Sequence, residues 1–455
     1  MEKHTERLGT APLGSLLVRL SLPGIAATIA GSLYNIVDTF WVSRLGYGAI
    51  AALTIVFPYQ ILAMAVGMGT GTGLGALVSR YFGECKISHT NLAAGQIFFL
   101  SMLWGMVFLV PALLFPDTIL IMLGATDDIM DMGRIYLIVT SFGAPANVFV
   151  LLAGSLIRGS GDTVKPTVIM IASSVFNIIL DPFLIMGLGP FPELGIKGAA
   201  LATVISQGAG TLIGLHYILG NRTSFRISRQ SLVPRWYMIK KIYHVGAPAS
   251  IQQLTESLAF ILFNKIVSTY GSAPIAAVGL AMRLSDLAFM PIMGVSNALL
   301  PVVGYNMGAG NQGRLWKAIK LSSIGTAVLL IIFSLIIEIW APEIVGIFMK
   351  EPEILKITIP GMRVMLSALV FIGPSILFIT AFQGLSMGGM ALWLSLVRQF
   401  ILFIPVLFIL EYLFGLIGIW LSLPVSDILS FAVVLVFLLK EYRRRNIIPA
   451  MNRTG

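Results

Sequence analysis

The chain has 455 residues, of which 11% are charged and 57% apolar, against roughly 25% and 45–50% in soluble domains. So little charge excludes a soluble protein of this length, which could not cover its own surface. Apolar runs as long as the roughly 18–20 residues that cross a bilayer recur as far as residues 434–439, so they are no single cleaved leader. The polar stretch 1–14 lacks a signal core, and the first helix is expected to be retained. The lone Cys85 excludes an internal disulfide and argues against a thiolate metal site. His4, His89, His216 and His244 show no ligand spacing.

Apolar runs between polar breaks predict helices over 15–42, 50–80, 91–115, 133–157, 166–187 and 196–219. A second set falls over 244–268, 275–305, 316–340, 357–382, 390–411 and 415–439. Twelve spans put both termini on one side. Lysine and arginine choose that side. With a cytoplasmic N-terminus, 21 of the 30 basic residues fall in inside segments, among them Arg80, Lys86, Lys240, Lys241, Arg314 and Arg443 to Arg445. Outside segments keep only Arg44, Arg134, Lys197, Lys265, Lys350, Lys356 and Arg363. Both ends are therefore expected in the cytoplasm of a multi-pass plasma-membrane protein. The formal charge of +10 and the basic 220–243 segment are thereby read as topology and a cytoplasmic linker, not as nucleic-acid binding.

The halves repeat at an offset of 225 residues. Pro23 falls on Pro248, Gly46 on Gly271, Gly69 on Gly294, Gly83 on Gly308 and Gly159 on Gly384. Late in the chain the offset drifts to 220, where Gly195-x-x-Gly198 matches Gly415-x-x-Gly418. Six helices per half preserve orientation, so the repeat is parallel about an axis along the membrane normal. The expected fold is an all-α membrane protein with two pseudo-symmetric six-helix lobes, 1–219 and 244–455, around a central cavity. A pseudo-symmetric channel remains compatible with the repeat.

Five acids fall inside spans: Asp38, Asp181, Glu256, Asp286 and Asp427. Each costs about 2.5–3.5 kcal/mol at a helix centre, so each asks for a function. Asn177 and Asp181 stand at i and i+4 on one face, with Asp38 and Thr203 expected at similar depth. Two carboxylates crowded in low dielectric cannot easily both be charged, which suits a site for a proton or a small hard cation such as Na⁺. The competing reading is that each aspartate braces a helix end, Asp181 beside Pro182. Glu256, with Gln252 one turn before it and Tyr34 in the first helix, is assigned to a substrate cavity. Asp286 follows Arg283 at i, i+3 and is read as half of a buried ion pair. The run Gly67-x-Gly69-x-Gly71-x-Gly73-x-Gly75 lies in an apolar span with no βα unit before it, so it is read as close helix packing. No P-loop occurs, so ATP hydrolysis on this chain is excluded as the power source, and nothing argues for a membrane enzyme or a bound cofactor.

The segment Ser32-Leu33-Tyr34-Asn35-Ile36-Val37-Asp38-Thr39, Ala51-Ala52-Leu53-Thr54-Ile55-Val56-Phe57-Pro58, Arg158-Gly159-Ser160-Gly161-Asp162 and Gly304-x-Asn306-x-Gly308-Ala309-Gly310 together resemble the multidrug and toxic compound extrusion (MATE) family. The branch most similar is the MepA/DinF-like prokaryotic one. The resemblance implies a monomer extruding small organic cations or amphipathic drugs in exchange for H⁺ or Na⁺. It places the coupling site on Asp38, Asn177, Asp181 and Thr203, and a hinge at Pro23. Glu256 matches the seventh-helix glutamate of the NorM-like branch. That branch also needs a tenth-helix aspartate, which Phe371-Ile372-Gly373-Pro374-Ser375-Ile376 lacks. The rival readings are a lipid-linked saccharide flippase, which would want a more cationic cavity than Arg283 and Arg398 supply, and a receptor module without transport.

Overall fold

The computed structural model describes residues 3–220, 223–348 and 352–451. Arg222, Lys350 and Arg453 of the topology count lie outside them. A short helix α1 (Lys3–Thr10) precedes α2 (Leu13–Ser43), α3 (Tyr47–Gly83) and α4 (Ile87–Leu114). The short helix α5 (Pro116–Met122) and then α6 (Met130–Phe142) lead to α7 (Ala144–Gly159), α8 (Val164–Met186) and α9 (Ile196–Leu219). The second half holds α10 (Trp236–Ser268), α11 (Ser272–Gly308), α12 (Gln312–Phe348), α13 (Pro352–Ser367) and α14 (Leu369–Gly384). It ends with α15 (Gly388–Leu396), a π-helical segment (Val397–Phe403), α16 (Ile404–Phe414) and α17 (Leu416–Met451).

Among the described residues nine helices are long and apolar enough to cross a membrane. Two more spans are bent pairs, α6 with α7 at 47° and α13 with α14 at 42°. The twelfth is α10, which escapes a hydropathy criterion because Gln252, Gln253 and Glu256 interrupt it. Twelve spans form two lobes, and α10 starts at Trp236, so the second part of the expected linker is helical. Its basic and aromatic residues, Trp236 to Tyr243, hide the helix from a hydropathy reading.

The repeat is written into the backbone. Gly46 and Gly271 both stand at φ near 100° (100° and 99°), and Gly195 and Gly415 at 55° and 58°. Cys85 at 56° pairs with Gly310 at 70°, and Gly161 at 85° with Ser386 at 59°. These left-handed positions disfavour side chains, so the same turn chemistry closes the same connection in each lobe.

The first helix of each half leans on the other half. Leu8, Leu13, Leu16, Leu17 and Leu20 are buried in one cluster with Ala298, Leu315, Leu377 and Leu438 of the second lobe. Reciprocally, Met238, Ile239 and Ile242 at the start of α10 are buried with Leu74, Ile97 and Leu152 of the first. Asn306 Nδ2 and Arg314 Nε each donate to the Leu8 carbonyl at 3.0 Å, tying down the C-terminal end of α1.

The glycine run of α3 serves two interfaces. Gly67, Gly71 and Gly75 face α7, where an added Cβ would meet Leu151 at 2.7 Å, Ser155 Oγ at 2.6 Å and the Ser155 carbonyl at 3.1 Å. Gly69 and Gly73, one residue pair round the helix, face α10 of the other lobe instead. A Cβ on Gly73 would stand 2.7 Å from the Gly246 nitrogen and closer still to the Ile242 carbonyl. The seam continues at Gly83, whose Cβ would meet Ala309 N at 2.8 Å, and at Gly24 against the Gly294 backbone at 3.3 Å. Thr70 Oγ1 and Tyr243 Oη hydrogen-bond across it at 3.1 Å. All these contacts lie in the half of the bundle where α1 and the end of α17 meet α11, the latter through Arg445 on Met307 Sδ at 3.0 Å.

Candidate functional site

Helix α8 packs against both α2 and α9, and the polar residues of all three meet in the first lobe. Asp38 on α2 is 5% exposed, Asn177 and Asp181 on α8 are 1% and 0%, and Thr203 on α9 is 6%. Asp38 and Asp181 are within electrostatic reach of each other and of Tyr34. Asn177 lies beside Asp181, and Thr203 beside Tyr34. Pro182 does not end α8, which continues to Met186, so Asp181 is interior to the helix.

The cluster is polar and undersupplied. Asp38 Oδ1, both carboxylate oxygens of Asp181, both amide atoms of Asn177 and Thr203 Oγ1 are buried with no hydrogen-bond partner. Among the described residues no lysine, arginine or histidine pairs with either aspartate. Unpaired buried polar atoms cost about 1–3 kcal/mol each, so this concentration is a poor way to brace helix ends. The donor set (two carboxylates, an amide oxygen and a hydroxyl) is the hard-oxygen chemistry that holds a proton or a small hard cation.

The sequence reading missed part of the wall. Tyr136 on α6 is 3% exposed and within electrostatic reach of Asp38, Tyr34 and Asp181, with Gln60 of α3 beside it. Gln207, one turn after Thr203, adds another buried oxygen without a partner. Gln60 and Gln207 were legible as polar side chains inside spans; Tyr136 was not, because tyrosine is common at helix ends. Tyr34 belongs to this cluster, apart from Glu256, with which it had been grouped.

Pro23 sits inside a continuous α2. Its carbonyl accepts from Thr167 Oγ1 of α8 at 2.8 Å, and the same hydroxyl lies 2.9 Å from the Thr163 carbonyl. The proposed hinge is thus tied to the helix that carries Asp181.

In the second lobe Glu256 lies beside Gln252, whose Oε1 accepts from Gln383 Nε2 at 3.2 Å. Glu256 is also within electrostatic reach of Arg398, which pairs with Asp427 at 3.6 Å. The expected Arg283–Asp286 buried pair is not formed. Both side chains are exposed and no ion pair joins them among the described residues, since spacing of i, i+3 permits a contact without requiring it. Ile372, Gly373, Pro374 and Ser375 of α14 are buried and apolar or small, in keeping with the missing acid.

Two other acidic features are structural. Asp162 Oδ1 accepts from the Val164 and Lys165 amides at 3.1 and 3.2 Å, and Oδ2 from Lys165 Nζ at 2.6 Å, closing the turn into α8. Asp127-Asp128-x-x-Asp131 does have the spacing of a diphosphate-binding acid cluster. It lies at the exposed entry to α6, with Asp128 on Thr126 and Asp131 on Arg134. Among the described residues no group of three or more His, Cys, Asp or Glu could hold a metal ion.

Two pseudo-symmetric six-span lobes, each with polar side chains inside, are an architecture of membrane transporters. The MatE family model matches residues 23–183 and 248–409, one segment in each lobe. The chain belongs to the MATE family of transporters. It is 28% identical over 437 residues to a protein of Shewanella oneidensis described as an FAD transporter, covering 94% of each chain. It is 27% identical over 434 residues to the multidrug export protein MepA of Staphylococcus aureus, covering 95% of each. A solved structure described as the outward-facing conformation of a multidrug resistance MATE family transporter superimposes with a TM-score of 0.91. That match has 26% identity and covers 98% of this chain and 99% of the other.

Proposed function

We propose that the protein is a secondary active exporter of organic cations and amphipathic drugs, driven by H⁺ or Na⁺ taken up at Asp38, Asn177, Asp181 and Thr203. The observation that carries this reading is the buried pair of aspartates, with no basic partner among the described residues, in a cluster of six unpaired polar atoms, three of them its own. Both termini and the 220–235 connection are cytoplasmic by the basic-residue count. The seam through Gly69, Gly73 and Gly83 then closes the cytoplasmic side, and the lobes part toward the outside.

From the outward-open state a proton or Na⁺ enters the cluster and neutralises charge that no side chain there can balance. The oxygens of Asp38 and Asp181 turn toward it, which draws α2 against α8. Because Thr167 ties the Pro23 carbonyl to α8, the adjustment reaches the point where α2 lacks one backbone hydrogen bond and bends most easily. The drug leaves outward, the lobes rock, and the ion is released inside. Glu256 and Gln252 wall the cavity in the second lobe, and the functional unit is one chain in the plasma membrane.

The MepA relatives favour drugs as cargo, and the coupling ion is decided by experiment. Proteoliposomes given a pH gradient or a Na⁺ gradient separately are loaded with ethidium. Efflux follows one gradient in the wild type and is lost in Asp181→Asn, with insertion and dye binding kept. Full efflux in Asp181→Asn would overturn the assignment.

A further inference from the structure

The repeat maps α2 on α10, α8 on α15–α16 and α9 on α17. The three helices that build the polar cluster of the first lobe therefore have counterparts that carry Glu256, Arg398 and Asp427. The first-lobe cluster has acids and no base; the second-lobe cluster contains its own cation. We propose that Arg398 makes this second cluster a recognition site for the oxyanion of a substrate, a carboxylate or phosphate, with Asp427 as the resident counter-ion that the substrate displaces.

Three observations carry the proposal. First, the Arg398–Asp427 pair is loose. Nε stands 3.6 Å from Asp427 Oδ1, with side chains 13% and 15% exposed, longer than the roughly 2.7–2.9 Å of a well-formed charge-assisted hydrogen bond. Structural pairs in the same protein look different: Arg134 grips both oxygens of Asp117 at 2.7 and 3.0 Å. An arginine holds five donors in a fork that fits a carboxylate or phosphate two bonds at a time. Leaving that fork undersupplied inside a membrane lobe is costly unless a ligand completes it. Second, Arg398 lies on the π-helical segment Val397–Phe403, and such wide turns recur at functional sites. Pro405, which has no N–H to give the Ile401 carbonyl, accounts for the widened turn locally. Third, Glu256 is near enough to feel Arg398 but not in contact with it. A zwitterion can therefore place its cation on Glu256 and its anion on Arg398.

The inference rests on the transporter reading above and names a substrate class for it: amphipathic zwitterions and anions beside the cations. The test uses a matched pair of dyes, rhodamine 6G and rhodamine 19, which differ in an ethyl ester against a free carboxylate. Arg398→Gln alone leaves two acids without a counter-charge, so the principal variant is Arg398→Gln/Asp427→Asn, with Arg398→Lys beside it. Dye binding is read by fluorescence anisotropy on the purified full chain, and transport in energised proteoliposomes. The double variant is expected to weaken rhodamine 19 binding by about tenfold or more, as for a lost charge-assisted bidentate contact, and to leave rhodamine 6G within about twofold. Arg398→Lys is expected to fall between. Equal effects on both dyes, or none on rhodamine 19, would overturn the proposal. If the wild type transports neither dye, the export reading fails, while the binding measurements still decide the role of Arg398.

Discussion

Gly73 offers a direct test of whether the α3–α10 seam is the closed gate of one state. In Gly73→Ala the new Cβ is 2.7 Å from the Gly246 nitrogen and nearer to the Ile242 carbonyl. Both are backbone atoms within a helix, so neither can turn aside; relief needs the lobes to separate. Overpacking of this kind costs about 1–3 kcal/mol, which moves a two-state equilibrium by about 5–150-fold. Alanine also gains helix propensity over glycine, about 0.5–1 kcal/mol, but α3 stays helical in both states and that gain cancels. Gly71→Ala is the control. Its Cβ meets the Ser155 hydroxyl at 2.6 Å, a group that can rotate, and the contact lies within one lobe. Spin labels on Cys85, which is exposed, and on a cysteine replacing Gly389, whose Cβ would meet nothing within 4 Å, report the seam by electron–electron distance measurement. Gly73→Ala should shift population toward long distances and Gly71→Ala should not. Identical distributions in the two variants would refute the reasoning.

Thr167→Val keeps the shape and removes the donor to the Pro23 carbonyl. The loss of one hydrogen bond, about 0.5–1.5 kcal/mol, should raise amide exchange around residues 24–30 by about 2–12-fold; unchanged exchange would mean the hydroxyl spends its proton on Thr163 instead. Glu84 is held by Arg80 and Lys86, each at 2.8 Å. Burial alone would raise its pKa, but the hydrogen bonds from Lys86 and Arg80 outweigh that and hold it below the ordinary glutamate range. Its folded value being depressed, its contribution is present above the unfolded value of about 4.3 and disappears as pH falls through the lowered folded value. With Arg80 38% and Lys86 54% exposed, the contribution is below about 1 kcal/mol. The melting-temperature gap between wild type and Glu84→Gln should therefore be small at pH 7, shrink with salt and vanish in acid; a gap that persists at pH 3 would contradict this account.

Span positions were legible because a membrane helix must be apolar over its whole length, and the twelve expected segments each match one observed span to within one residue of overrun. What escaped was amphipathic or short: α1, α5 and the first turns of α10, where polar side chains meet the other lobe or the surface. Asp38, Asn177, Asp181 and Thr203 stood out as polar side chains at similar depth, and the structure puts them on mutually packed helices. Tyr34 and Tyr136 joined that cluster through tertiary packing that no local pattern encodes. The Arg398–Asp427 pair joins a π-helical segment to α17, so its two members were visible singly and their meeting was not. Arg283 and Asp286 show the reverse error, where favourable spacing was taken for contact.

The reciprocal packing of the two halves bears on how the chain is made. Leu8 to Leu20 reach the membrane early, yet the residues that bury them, among them Leu377 and Leu438, are synthesised last. The N-terminal half must wait, with an apolar stripe facing lipid, until the C-terminal half arrives to cover it. In the bilayer that wait is cheap, because lipid tails solvate leucine as well as protein does. Assembly is thus ordered by polar and glycine contacts more than by greasy ones, and a split protein expressed as two halves should recover its fold only when both are made in the same membrane.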